Sequence, residues 1–334
     1  MKKYNEITLL HVIACCMILL CHFFQDAGIG SLGEIFLAGL SVFFIVSGFL
    51  TGFKPRYNAK WLGSRFKRIL VPYYIIMLIC VVLIVLFTNG FNAQSALHLI
   101  TATQGINYLF WPYQGYGAMT GLGHLWYITI ILICFTITPV LDWLYKRISP
   151  SLKSLYLFLL ILICAVQPVM MFMGIQISYI ISFMIGYLIA KKNYVFTGRR
   201  YAGIVIIFLI VTAIRFIGMK LIDGSDFYDR YIALVSQGSL AVVIYSTVFF
   251  LGCKVPKAVA SLAQNYFIVL FASIIYEVYL VHYFFLRGPW PVKNYIHNIY
   301  MADLTVAALS ILFALAISKI VKRVTSSKTI LTDK

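Results

Sequence analysis

Apolar runs of about 17–25 residues recur along the whole chain, each long enough to cross a bilayer as an α-helix. A helix satisfies its own backbone hydrogen bonds where no water can, so runs of this kind leave few alternatives. Ten of them fall near residues 7–25, 32–53, 69–88, 122–144, 152–170, 173–190, 202–219, 231–252, 264–286 and 303–322. The chain therefore reads as an all-α polytopic membrane protein of about ten transmembrane helices, a single transmembrane domain over residues 1–334 with no soluble domain attached. Composition agrees: 62% hydrophobic and 11% charged residues, with a mean hydropathy of +0.93, lie far outside the range of soluble domains.

A formal net charge of +17 could suggest nucleic acid as a partner. That fails once the basic residues are placed in short connections between spans, where they set topology instead. With both termini cytoplasmic, 22 of the 27 basic residues face inward. Lys2 and Lys3 ahead of the first run could head a secretory signal, but no small-x-small cleavage site follows and further spans come at once, so the run is expected to stay as a helix. The seven cysteines sit almost entirely in apolar runs without CxxC or ligand spacing; they are expected as small core residues, with no metal.

The first run carries two imidazoles, His11 and His22. Eleven positions at about 100° each close to within about 20° of three turns, so both share one helix face about 16 Å apart. That face is expected to avoid lipid, because a polar side chain there is costly unless buried in protein. Cys15 lies on the same face, where small-residue packing is the plainer role. Topology puts His11 in the inner half of the membrane and His22 near the outer surface. It also places His124 and His282 outside, and Glu277 near mid-membrane, where a carboxylate needs a proton, a partner or a water-filled cavity. Three histidines thus reach one depth on three helices. Arg65, Lys67 and Arg68 stand on the inner side, just before Pro72 and Tyr73.

Plainer readings stand beside these. His22, His124 and His282 could be interfacial residues, and Arg65 and Arg68 topogenic charge. Gly48 and Gly52 form a GxxxG suited to close helix contact. The longest connection, residues 89–121, has no Asp, Glu, Lys or Arg and carries Phe91, Tyr108, Phe110, Trp111, Tyr113 and Tyr116. It reads as an interfacial aromatic belt or as a platform for the apolar faces of sugar rings.

In five places the sequence resembles the membrane acyltransferase 3 family, integral membrane O-acyltransferases, mostly O-acetyltransferases, of extracellular or cell-surface glycans. Leu10-His11 to His22 aligns with a first helix that in the family carries an arginine, ten residues and a histidine; here the arginine is His11. Val42-Phe43-Phe44-Ile45-Val46-Ser47-Gly48-Phe49 matches a second-helix pattern, VxxFFxISGF. Arg65, Arg68, Pro72 and Tyr73 match the opening of the third helix, His124-Leu125-Trp126-Tyr127 an HLWF in the fourth, and Tyr279-Leu280-Val281-His282 a late YLxH.

The resemblance implies an enzyme taking an acyl group, expected to be acetyl, from cytosolic acetyl-CoA to a hydroxyl of an extracytoplasmic or lipid-linked polysaccharide, in a multi-pass cell membrane protein, expected to be bacterial. It places His22, His11 and Glu277 in catalysis, His124, Trp126, Tyr279, His282 and Ser47 at the acceptor, and Arg65 and Arg68 at the coenzyme phosphates. His22 would deprotonate the attacking hydroxyl or be acylated and pass the group on. The expected partners are acyl-CoA, the glycan or lipid-linked sugar and membrane lipid, without nucleic acid. The rival class is an exporter of a glycan precursor, which also uses intramembrane histidines and carboxylates. Against it, no broken-helix pairs recur at matching places in two halves, and the polar groups gather at one outer level.

Overall fold

The computed structural model describes residues 4–54, 56–88, 92–106, 121–147, 177–221 and 226–326, and among them every regular element is helical. In chain order these are α1 (Asn5–Asp26), α2 (Gly30–Phe36), α3 (Ala38–Gly52), α4 (Ala59–Phe87), α5 (Ala93–Thr101), α6 (Trp126–Arg147), α7 (Ile177–Lys191), α8 (Gly198–Leu221), α9 (Asp226–Lys254), α10 (Pro256–Gln264), α11 (Tyr266–Ala272), α12 (Ile275–Arg287) and α13 (Ile299–Ser326). Among the described residues seven stretches are long and apolar enough to span a membrane, with an eighth if α11 and α12 count as one broken span. This is a multi-pass membrane protein. The expected span 152–170 and the Gln167-Pro168 junction lie outside the described residues, and Ser178–Lys191 is a shorter apolar helix.

The chain divides into two compact units: Met1–Pro55 with Ile177–Ser273, and Arg56–Gln176 with Ile274–Lys334. In the first, α3 is buried over most of its length and lies directly against α7. A methyl group on Gly48 would stand 1.9 Å from the Phe183 carbonyl oxygen, and one on Gly186 1.9 Å from that of Ile45. Gly48 meets Phe183 and Gly52 meets Ala190, so the helices run parallel, and the GxxxG serves the close approach expected of it. Arg215 of α8 pairs with Glu34 of α2 at 2.5 Å.

In the second unit α5 is tied down by hydroxyls from its neighbours. Tyr73 and Tyr74 of α4 donate to the Leu99 and Ile100 carbonyls at 2.6 and 2.7 Å. Thr129 of α6 donates to the Ala102 carbonyl at 2.8 Å and accepts from Gly105 N–H at 2.9 Å. Ala102 ends α5 in the left-handed region, φ 54°. Part of the charge-free connection is therefore a packed helix, while its aromatics at 91, 108, 110, 111, 113 and 116 lie outside the described residues.

Two boundaries differ from expectation. The helix expected from residue 69 starts at Ala59, capped by the Asn58 side chain, which accepts from Trp61 N–H at 2.9 Å. The cations Arg65, Lys67 and Arg68 thus stand on a helix, where their spacing fixes which share a face. The expected continuous span 264–286 is broken at Ser273 and Ile274. Ser273 Oγ donates back to the Leu270 carbonyl at 2.8 Å, and Ile274 at φ −124°, ψ 4° leaves the helical region, so α11 ends before α12 begins.

Candidate active site

The second unit brings three expected site residues together. His124, in the 3-10 turn that opens onto α6, and Tyr279 and His282 on α12 are all buried. His124 Nε2 lies 2.9 Å and His282 Nδ1 2.8 Å from the Tyr279 carbonyl oxygen. In return the Tyr279 hydroxyl donates to the His124 carbonyl at 2.6 Å. A carbonyl only accepts, so both contacting nitrogens carry hydrogen. The lone pair of each neutral ring then falls on His124 Nδ1 and His282 Nε2. The ring centroids are 5.1 Å apart, close enough that two imidazolium charges would repel strongly in so dry a place. In its neutral form either ring offers the lone pair that proton abstraction requires. Trp126 is half-buried at the start of α6, and the next residue, Tyr127, packs edge-on against Tyr279 at 5.1 Å.

Farther along α6 stands the basic cluster. Arg65 is half-buried, its guanidinium 5.9 Å from the Trp61 ring and 5.8 Å from the Phe135 ring. Among the described residues it makes no ion pair and no hydrogen bond, and the buried Trp61 Nε1–H likewise has no acceptor. Donors confined by aromatic rings without an acceptor are suited to an incoming anion, because a desolvated cation is costly until paired. Eight residues separate Phe135 from Tyr127, about 12 Å along the helix. Trp61 was not among the sequence candidates; its signal was the i, i+4 spacing to Arg65, legible only once both lay on one helix.

Glu277, 8% exposed, occupies the first turn of α12. The charges of Lys322, near the end of α13, and of Arg68 act on it. The neighbouring Tyr276 donates to the Ile69 carbonyl at 2.9 Å. The carboxylate thus lies within reach of charges from α4 and α13, in the helix that restarts after the break at Ser273.

The remaining candidates belong to the first unit. His22 is half-buried near the end of α1, with Nδ1 3.2 Å from Gln25 Oε1, an acceptor that makes Nδ1 the donor and leaves the lone pair of the neutral ring on Nε2. His11 is half-buried beside Phe43, ring centroids 5.9 Å apart. Ser47 is half-buried on α3 next to the glycine contact with α7.

A family model described as an acyltransferase domain matches residues 4–323, nearly the whole chain and both units. The chain belongs to the acyltransferase 3 family. It is a membrane acyltransferase, and the five resemblances noted above fall inside the matched range. Comparison with curated proteins gives no match, and neither does comparison with solved structures. Family membership also weighs against the exporter reading. The helix break at Ser273 has no counterpart among the described residues that would make the repeated pair such transporters carry.

Proposed function

We propose that this membrane acyltransferase moves an acetyl group from cytosolic acetyl-CoA to a hydroxyl of an extracytoplasmic or lipid-linked glycan, in a bacterial cytoplasmic membrane with both termini inside. The observation that carries the donor assignment is Arg65: a guanidinium flanked by Trp61 and Phe135, without an ion pair or hydrogen bond among the described residues. Phosphates of a coenzyme would supply the missing acceptors, with Arg68 and Lys67 on the next exposed positions of the same helix. The pantetheine arm would extend along α6 toward the imidazoles, a distance of about 12 Å between Phe135 and Tyr127.

His22 takes the hydroxyl proton as the oxygen attacks the thioester carbon; the carbon–sulfur bond breaks and the proton ends on the departing coenzyme thiolate. Alternatively the acyl group passes first to His22 and then to the oxygen. His124, Trp126, Tyr279, His282 and Ser47 contact the acceptor, and Glu277 balances Arg68 and Lys322 as the anionic donor enters and leaves. His11, at the family's arginine position, assists as a titratable cation.

The test offers radiolabelled acetyl-CoA to the purified chain in liposomes together with an acceptor glycan. Release of coenzyme A with label on the glycan, abolished by His22→Ala, supports the reading. Absence of release from the wild-type chain, or full release from His22→Ala, overturns it.

A further inference from the structure

One end of the first unit is closed by aromatic rings gathered from four places in the chain. Tyr4, just ahead of α1, lies 5.7 Å from Phe49 and 5.8 Å from Phe53 at the end of α3, and 6.4 Å from Phe249 near the end of α9. Phe196, between α7 and α8, reaches Tyr245 and Phe249 at 6.0 and 6.2 Å. Phe49, Phe196 and Tyr245 are buried, so these rings pack into a plug.

Cations surround the plug. The end of α7 supplies Lys191 and Lys192, the start of α8 Arg199 and Arg200, and the turn from α9 to α10 Lys254 and Lys257. All but Lys191 are exposed. Three lie over aromatic rings: Lys191 on Tyr187 at 5.3 Å, Arg200 on Tyr194 at 4.8 Å and Lys254 on Phe250 at 5.8 Å. Among the described residues of this end one carboxylate, Glu6, faces them, packed over Gly252.

Large apolar side chains stand bare farther along the same stretches of chain. On α8 Ile206 and Ile207 are 56% and 60% exposed; past α10, Tyr266 and Phe267 are 72% and 74% exposed. The nine-residue α10 buries only Val259 and Ala263 and leaves Leu262 outward, as a helix lying in an interface does.

We propose that this end of the first unit is a binding ring for anionic phospholipid, independent of acyl transfer. Exposed cations spread around packed rings match lipid headgroups, which arrive already arrayed in a plane. The bare apolar side chains suit acyl chains, the exposed cations suit phosphate, and a phospholipid supplies both. Each exposed basic residue at such a surface favours an anionic headgroup by about fivefold.

The experiment uses the full chain purified in detergent with an equal mixture of phosphatidylglycerol and phosphatidylcholine, and counts the lipid retained by native mass spectrometry. The wild-type chain is expected to retain phosphatidylglycerol at least tenfold over phosphatidylcholine. Combined Lys192→Gln, Arg199→Gln, Arg200→Gln and Lys254→Gln should cut the preference to about fivefold or less, the share of the remaining Lys257. A control with the same charge loss in the second unit, Lys60→Gln, Lys293→Gln, Lys319→Gln and Arg323→Gln, should keep it. Equal retention of the two lipids by the wild type, or equal loss in both variants, overturns the proposal. So does displacement of the lipid by millimolar adenosine 3′,5′-bisphosphate, which would make the ring a phosphate site for a soluble ligand. Each variant is first required to elute as a monodisperse species, and Lys192→Gln with Lys254→Gln alone, expected to give an intermediate preference, serves if the fourfold change does not.

Discussion

Trp61→Phe removes one N–H and keeps an aromatic ring beside Arg65. In the empty protein that N–H is buried without an acceptor, which costs about 1–3 kcal/mol. Deleting it relieves this cost, while the smaller ring gives up packing worth roughly 2 kcal/mol at about 0.8 kcal/mol per lost carbon group. The two effects nearly cancel, and the unliganded variant should unfold within about 1 kcal/mol of wild type. Binding behaves otherwise. If the N–H and the Arg65 guanidinium grip a coenzyme phosphate together, the variant loses one hydrogen bond to a charged group, about 1.5–3 kcal/mol, or roughly 10- to 150-fold in affinity. Equilibrium dialysis of radiolabelled coenzyme A against the purified chain, with thermal unfolding run in parallel, measures both quantities. Pantetheine, which lacks the nucleotide phosphates, should bind the variant and the wild type alike. Wild-type affinity for coenzyme A in Trp61→Phe, or a loss of affinity matched by an equal loss of stability, would refute a phosphate-gripping role for this indole.

Gly48→Leu should abolish stable expression, since even the first carbon of the new side chain would stand 1.9 Å from a backbone carbonyl; size-exclusion chromatography of the detergent-extracted protein checks it. Tyr279→Phe removes the hydroxyl bond to the His124 carbonyl and should cost about 1 kcal/mol of stability, read from thermal unfolding, with transferase activity reduced further than that loss explains. His11→Arg installs a permanent cation beside Phe43, where a cation–π contact of about 0.5–1 kcal/mol can hold it, and should lower KM for the donor severalfold at unchanged kcat in steady-state assays.

Hydropathy made most spans legible, because the length of an apolar run and the thickness of a bilayer are nearly the same statement. Paired glycines at Gly48 and Gly52 announced a close helix approach, though the partner, α7, followed only from coordinates, since spacing on one helix carries no information about its neighbour. The break at Ser273 was hidden: the run 264–286 is uniformly apolar, and a hydroxyl turning back on the Leu270 carbonyl leaves no mark in a hydropathy pattern. Depth arguments did anticipate that His124 and His282 stand at one level, yet the shared carbonyl between them is a backbone atom and has no sequence signature. Trp61 was passed over for a related reason, because the helix was expected to begin at residue 69 and the indole looked like part of a loop.

One oxygen atom, the carbonyl of Tyr279, serves two imidazoles from different helices. These histidines are therefore not separable in a mutational scan. Truncating either ring hands the whole acceptor to the survivor and steadies it, so single substitutions understate what each contributes, and only the doubly substituted chain, compared with both singles, reveals the cost of emptying that clasp.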